Sequence, residues 1–382
     1  MAEAAARLPH ARPSQFESEE GEAYRRELLE AAGPPYTQAI LTSSGSEAVE
    51  VALKIAHRYQ HAAGRSEPGP VRHLSGHYHG ATLGALGVTG LRARRAPYED
   101  LVRRVGGGFE SATSSGEPES AALSAGPAAG VILETIPAAG LGAPVPPPGY
   151  LARIRAQCDD AGALWIADEV LSGFGRVGAL FAWQRLAERR TPDGSTPDRD
   201  ANPDVVVFGK GAGAGFAPVA GVLIADRVAR ALDADGFAHF QTYGGNPIAS
   251  AVGRRVLEAM VEEKIDALVR DSEADLERAL RSTLDLQSVG DVRGIGYLWG
   301  IELVEEHATG RPFPRERRVA EGVADDCRER GVLVYAGSGC FDGERGDFIL
   351  VAPPLITSKG AFETIAEAIA ESIATQAEGR TR

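Results

Sequence analysis

Five short, almost uninterrupted apolar runs constrain this chain more than any other feature: TQAILTS from Thr37, AGVILETI from Ala129, ALWIADEV from Ala163, DVVVFGK from Asp204 and PVAGVLIAD from Pro218. A strand with one wet face alternates apolar and polar side chains; a strand that does not alternate must be covered on both faces. Helical text separates the runs. In SSGSEAVEVALKIAHRYQHAAG, the positions Val49, Ala52, Leu53, Ile55, Ala56 and Tyr59 fall near helical spacing. Alternation of this kind predicts an α/β fold with a mostly parallel central sheet clothed by helices. After about residue 247 the pattern changes. A long helical stretch (IASAVGRRVLEAMVEEKIDALVRDSEADLERALRSTL), short strands near YLWGIEL, VLVYAG and FILVAP, and the closing helix KGAFETIAEAIAESIATQ read as a smaller C-terminal α+β domain. The expected organisation is an N-terminal segment 1–37, a large domain 38–250, and a connecting helix with a small domain over 251–382. Residues 1–20 read as peripheral, 21–32 as a helix, and the Gly/Ser-rich 104–127 as a surface excursion.

Composition narrows the function. Acidic residues number 53 against 40 basic, a formal charge of −13. Nucleic acid and anionic membranes are bound through clustered Lys and Arg, so neither is an expected partner. No apolar stretch is long enough to span a bilayer, and the N-terminus lacks an apolar signal core. Three cysteines (158, 327 and 340) give no disulfide framework and no CxxC pair, which suits a reducing cytoplasm. His57 and His61 lie four apart on a helix without a third ligand or an HExxH motif, so no metal site is expected.

Chemistry gathers at the strand ends. Lys210 follows VVVF directly, between Gly209 and Gly211. A lysine at the end of a buried strand is either a solvated terminus or an amine whose lowered pKa makes it a nucleophile. Asp168 and Glu169 end ALWIAD, where open α/β sheets bind ligands; they are either site carboxylates or caps. Ser44-Gly45-Ser46 opens a helix after a strand. Free N–H groups, the positive dipole end and a glycine suit a phosphate there; the plain reading is an N-cap, with Ser46 and Glu50 as the capping pair. GKGAGA formally fits a dinucleotide loop, but the next strand follows too soon for a crossover helix. SGHYHG places Tyr78 among His73, His77 and His79, and a ring-stacking role is open to it.

Taken in order, SSGSEAVEVALKIA, GHYHGATLGALGVTG, AGVILETIPAAGLGAPVPPPGYL, ALWIADEVLSGFGRVGALFA, PDVVVFGKGAGAGFAPVAGV and QTYGGNPIAS resemble the class III aminotransferases, pyridoxal-phosphate enzymes of fold type I related to the ornithine and ω-amino acid aminotransferases. The similarity runs over about residues 38–358; the spacing of Asp168 and Lys210, 42 residues apart, is its most specific part. The resemblance implies pyridoxal 5'-phosphate as cofactor and a Schiff base at Lys210, which then shuttles a proton. Asp168 would keep the pyridine nitrogen protonated. Val170 and Tyr78 would flank the ring, and Ser44, Gly45 and Ser46 would hold the phosphate. Glu134 matches a glutamate near the substrate side. Thr242 matches a residue that reaches the neighbouring subunit's cofactor, which implies a homodimer or a dimer of dimers.

Three departures shape the reaction expected. The family's glutamine after the DEV triplet is Leu171, the arginine that many members carry before Pro-Pro-Leu is Leu350, and the N-terminal segment is shorter than the family norm. Leu350 leaves open how a substrate carboxylate is bound. The expected activity is transfer of an amino group between a small-molecule amine or ω-amino donor and a keto acid or aldehyde. Other chemistries on the same cofactor are alternatives: decarboxylation, oxygen-dependent oxidation or monooxygenation, racemisation and aminomutation. A non-catalytic binding partner is a further one.

Overall fold

The computed structural model describes residues 1–11, 15–105, 109–112 and 126–377. Its central sheet has seven strands: β1 (Tyr36–Thr42), β2 (Val71–Leu74), β3 (Phe109–Ala112), β4 (Gly130–Glu134), β5 (Leu164–Asp168), β6 (Val205–Phe208) and β7 (Ala220–Ala225). Their order is β1-β7-β6-β5-β4-β2-β3. The pairs from β3 across to β6 are parallel, and β7 runs antiparallel to both its neighbours. The reversal follows from chain length. Only residues 209–219 separate β6 from β7, too few for a parallel crossover.

Every second residue of these strands enters a different core. Leu133, Trp165, Val206 and Leu223 pack on one side of the sheet; Ile132, Ile166, Val205 and Val222 pack on the other. This two-sided burial is what the non-alternating runs require. The helix Gly45–Ala62 covers the second side through Val49, Ala52, Ile55 and Ala56.

A second, antiparallel sheet is built from β8 (Val289–Ile295), β9 (Leu298–Glu306), β10 (Arg311–Pro312), β11 (Tyr335–Ser338) and β12 (Asp347–Val351). The helices Ile265–Arg281, Val319–Glu329 and Gly360–Ala377 share its core through Val269, Leu276, Val323, Cys327, Phe362 and Ile369.

The sequence reading needs four corrections here. The N-terminal residues include a helix, Ala2–Arg7, whose Ala4 is buried. The strands β2 and β8 carry too few alternating or apolar positions to announce themselves. Within the supposed excursion 104–127, Phe109–Ala112 pairs with β2 as the sheet's edge strand; 106–108 and 113–125 lie outside the described residues. The long C-terminal helix is two, Pro247–Glu262 and Ile265–Arg281, broken where Lys264 takes a left-handed backbone at φ +51°.

Candidate active site

The strands β1, β2, β4, β5 and β6 all point one way, so their carboxyl ends share one edge of the sheet. That edge is where open α/β sheets hold ligands. Ser44-Gly45-Ser46 follows β1, His77-Tyr78-His79 follows β2, Glu134 ends β4, Asp168 ends β5, and Lys210 follows β6.

Ser44, not Ser46, is the N-cap of Gly45–Ala62. Its hydroxyl accepts from the Glu47 amide at 3.3 Å, and Glu47 returns by accepting from the Ser43 amide at 2.9 Å. The expected Ser46–Glu50 cap is therefore corrected. Glu50 instead accepts from the Thr82 hydroxyl (2.6 Å) and the Gly84 amide (2.8 Å). Ser46 accepts from the Ala81 amide at 3.0 Å and keeps its own proton to donate. The amides of Gly45 and Ser46 have no acceptor among the described residues, so the first turn of an 18-residue helix presents free donors. Gly45 is also a packing requirement: a Cβ there would lie 3.0 Å from both methyls of Val170.

Asp168 and Glu169 are neighbours in sequence with different surroundings. Asp168 accepts from the His79 ring Nδ1 at 2.7 Å and from the Val170 amide at 3.0 Å. Glu169 is fully buried and accepts from the Ser172 hydroxyl and the Ala182 and Trp183 amides, so it caps the short helix Ala182–Ala187. Of the two readings left open for this pair, Glu169 takes the cap.

Glu134 is the Cα partner of Asp168 across β4 and β5. Its carboxyl accepts from the Tyr78 amide at 2.8 Å, and its own amide donates to His77 Nδ1 at 2.9 Å. Burial, with the Asp168 charge next to it, pushes the Glu134 carboxyl up to about 8. His77 is held well below the usual imidazole range, first by burial and then by the neighbouring histidines. Tyr78 itself is half-buried and Val170 lies between Gly45 and Gly209.

Lys210 is exposed and carries a left-handed backbone, φ +39°, where the chain turns from β6 into a short 3-10 helix. For a residue with a Cβ this costs about 1–3 kcal/mol and marks sites where geometry is imposed. A cavity of about 850 Å³ opens beside it, with Leu171, Phe174, Phe216, Val256, Met260 and Leu355 in its wall. Arg176 also reaches this cavity. Its guanidinium donates to the Tyr297 and Pro353 carbonyls, and burial lowers its pKa to about 10. Leu350 is buried in β12 and presents no polar atom of its side chain. Thr242 sits on an exposed turn before the helix Pro247–Glu262. A wider groove of about 1030 Å³, near Arg25, Tyr36 and Asp226, contains none of these residues.

Sequence reasoning gave His79 no role of its own and paired Glu50 with Ser46, whereas Glu50 holds the Thr82 hydroxyl and the Gly84 amide. The motif SGHYHG drew attention to Tyr78, yet the shortest side-chain contact of Asp168 is to His79. Among the described residues no group of His, Cys, Asp and Glu could hold a metal ion. No helix among them is long and apolar enough to cross a membrane.

The family model described as aminotransferase class-III matches residues 1–373. A probable aminotransferase of Mycobacterium tuberculosis is 34% identical over 368 residues, covering 88% of this chain and 73% of the relative. A transaminase from the marine bacterium Virgibacillus superposes with a TM-score of 0.86 at 27% identity, covering 100% of this chain and 85% of that one. A taurine:2-oxoglutarate aminotransferase from Bifidobacterium kashiwanohense, solved with PLP and glutamate, gives a TM-score of 0.82 at 25% identity, covering 100% and 84%. The fold is that of solved transaminases. The chain belongs to the class III aminotransferases, a family that uses pyridoxal phosphate.

Proposed function

We propose that the protein transfers an amino group between an amine or ω-amino donor and a keto acid or aldehyde, with pyridoxal phosphate held at the carboxyl edge of the large sheet. The observation that carries this reading is the convergence of Asp168 and Lys210, from adjacent parallel strands, with a capped helix N-terminus whose glycine packs on Val170. The residues fit the cofactor. Free amides at Gly45 and Ser46 and the Ser46 hydroxyl suit a phosphate, with Ser44 shaping the turn. The Asp168 carboxylate suits a protonated ring nitrogen.

Pyridoxal phosphate supplies an electron sink for breaking a bond beside the transferred nitrogen. The chain's own groups do the rest. Lys210 would bind the cofactor's aldehyde through Nζ and, once released by the donor amine, carry a proton there. Asp168 would hold the ring nitrogen's proton. Val170 and Tyr78 would flank the ring. Glu134 would face the substrate, neutral below its raised pKa. The aliphatic side chain at Leu350, where many members of the family carry an arginine, supports donors that carry no carboxylate on the carbon bearing the amine. Thr242, on its exposed turn, would reach the cofactor of a second subunit in a homodimer.

The test is reduction of the cofactor-loaded protein with borohydride followed by peptide mass spectrometry. A stable adduct on Lys210, absent from Lys210→Ala, is expected. Conversion of the bound cofactor to its amine form by amine donors is expected to exceed that by alanine. Absence of an adduct at Lys210 overturns the reading.

A further inference from the structure

We infer that Arg176 is a specificity-determining residue: a guanidinium fixed in the wall of the Lys210 cavity that takes the far carboxylate of an ω-amino acid donor. The inference rests on the functional reading above and adds to it the residue that recognises the end of the donor remote from the amine.

Arg176 lies in the loop after β5 and lines the same cavity as Lys210. Its Nη1 donates to the Tyr297 carbonyl at 3.3 Å and to the Pro353 carbonyl at 2.5 Å, and its own carbonyl accepts from the Tyr297 amide at 2.9 Å. Tyr297 sits between β8 and β9 and Pro353 follows β12, so these bonds tether the guanidinium to the second sheet. The edge formed by Nε and Nη2 has no partner among the described residues. Parallel N–H groups on that edge match the two oxygens of a carboxylate.

A guanidinium drawn out of water without a counter-charge is costly. Arg155 and Arg293, with side chains 17% and 19% exposed, each answer that cost with two carboxylates: Asp159 and Asp204 for the one, Asp291 and Glu302 for the other. Arg176 makes no ion pair among the described residues, and burial alone acts on its charge.

The cavity has the matching electrostatics. Its wall carries three cationic side chains, Lys210, Arg176 and Arg255, against one carboxylate, Glu263. Arg255 is exposed and already bonded to Glu262 at 2.7 Å. Glu263 is exposed and makes no ion pair with Arg176. With Lys210 assigned to the cofactor's aldehyde, Arg176 is the cation left for a ligand's carboxylate. Leu171 and Met260, in the same wall, suit the methylenes between the two polar ends of such a donor. Leu350, three residues before Pro353, presents no cation; Arg176 brings one to the same stretch of chain.

The experiment uses cofactor-loaded wild type, Arg176→Gln and Arg176→Lys. Conversion of the bound cofactor to its amine form is followed with ω-amino acids of increasing length, each beside the alkylamine of the same carbon count, and thermal unfolding controls for folding. Wild type is expected to prefer at least one ω-amino acid over its alkylamine. Arg176→Gln is expected to lose about 10- to 150-fold in apparent affinity for that acid, with the alkylamine changed far less; Arg176→Lys, which keeps the charge but not the fork, is expected to fall between. Wild type that prefers no ω-amino acid overturns the inference. So does a glutamine variant that loses acid and alkylamine equally, as a purely structural arginine would, or one that loses neither. If neither variant folds, a crystal structure of loaded wild type with the alkanoate of the preferred length decides: a carboxylate on Nε and Nη2 of Arg176 is expected, and a carboxylate elsewhere sinks the inference. Loaded wild type that yields no borohydride adduct at Lys210 would overturn the functional reading itself, a result distinct from the others.

Discussion

Glu134 stands directly across from Asp168, as Cα partners on adjacent parallel strands, and consecutive residues hold the two carboxyls: the Tyr78 amide at 2.8 Å and the His79 ring at 2.7 Å. Two buried carboxyls side by side do not ionise equally. Glu134 keeps its proton to about 8, although its two oxygens accept from the Tyr78 and Ala138 amides; the Asp168 oxygens accept from the His79 ring and the Val170 amide.

That asymmetry predicts a pH dependence of stability. The folded protein holds the Glu134 proton up to about 8, whereas an unfolded glutamate releases it near 4.5. Between those values the folded state binds more protons, so Glu134 makes stability fall as pH rises through the window. Glu134→Gln has no such proton. Its stability relative to wild type is expected to climb from pH 5 to pH 8 and level off above. Denaturant midpoints of both proteins across that range check this; a constant difference would refute it.

Asp168 and Glu169 should separate function from folding. Removing Asp168 with alanine takes away a buried charged partner and is expected to weaken cofactor binding by ~2–5 kcal/mol, roughly 30- to several thousand-fold. Glu169→Ala strips the acceptor from the Ser172 hydroxyl and the Ala182 and Trp183 amides. It is expected to lower folding stability by about 3 kcal/mol or more, with cofactor affinity of the folded protein changed much less. Urea unfolding and cofactor titration on both variants distinguish the two outcomes.

Gly45→Ala places a methyl 3.0 Å from both Val170 methyls. Overpacking of this kind costs ~1–3 kcal/mol. The substitution is expected to weaken cofactor binding and to lower the unfolding midpoint, and a second substitution, Val170→Ala, is expected to recover part of the stability. A double variant no more stable than Gly45→Ala alone would show that the clash is not with Val170.

Lys264 breaks two helices with a left-handed backbone at an exposed position. Glycine adopts that conformation without the Cβ penalty, so Lys264→Gly is expected to stabilise the protein by ~0.5–1 kcal/mol. Thermal unfolding reads this directly; destabilisation would mean that the lysine side chain contributes more than its backbone costs.

Much of the architecture was legible in the residues. Apolar runs such as VVVF cannot exist half-wet, so strands covered on both faces follow from solvation alone. The short link after Lys210 already excluded a crossover, and β7 returns antiparallel for that reason. The strands β2 and β8 and the edge strand β3 were not legible, because Arg72, Glu110 and Arg293 interrupt the apolar pattern and only neighbouring strands make those segments extended.

The residue types at the strand ends, and their order along the chain, are properties of the sequence: a glycine to admit a ligand, a carboxylate, a lysine. What each one touches is not. Asp168 and Glu169 are chemically near-equivalent and adjacent, and the pleat sends them to opposite surroundings, one toward His79 and the other onto a helix start. His79 is 89 residues from Asp168, and no spacing rule links them. Side-chain chemistry is local and can be read one residue at a time. Hydrogen-bond partnership across a sheet depends on register and loop path, which exist only once the chain has folded.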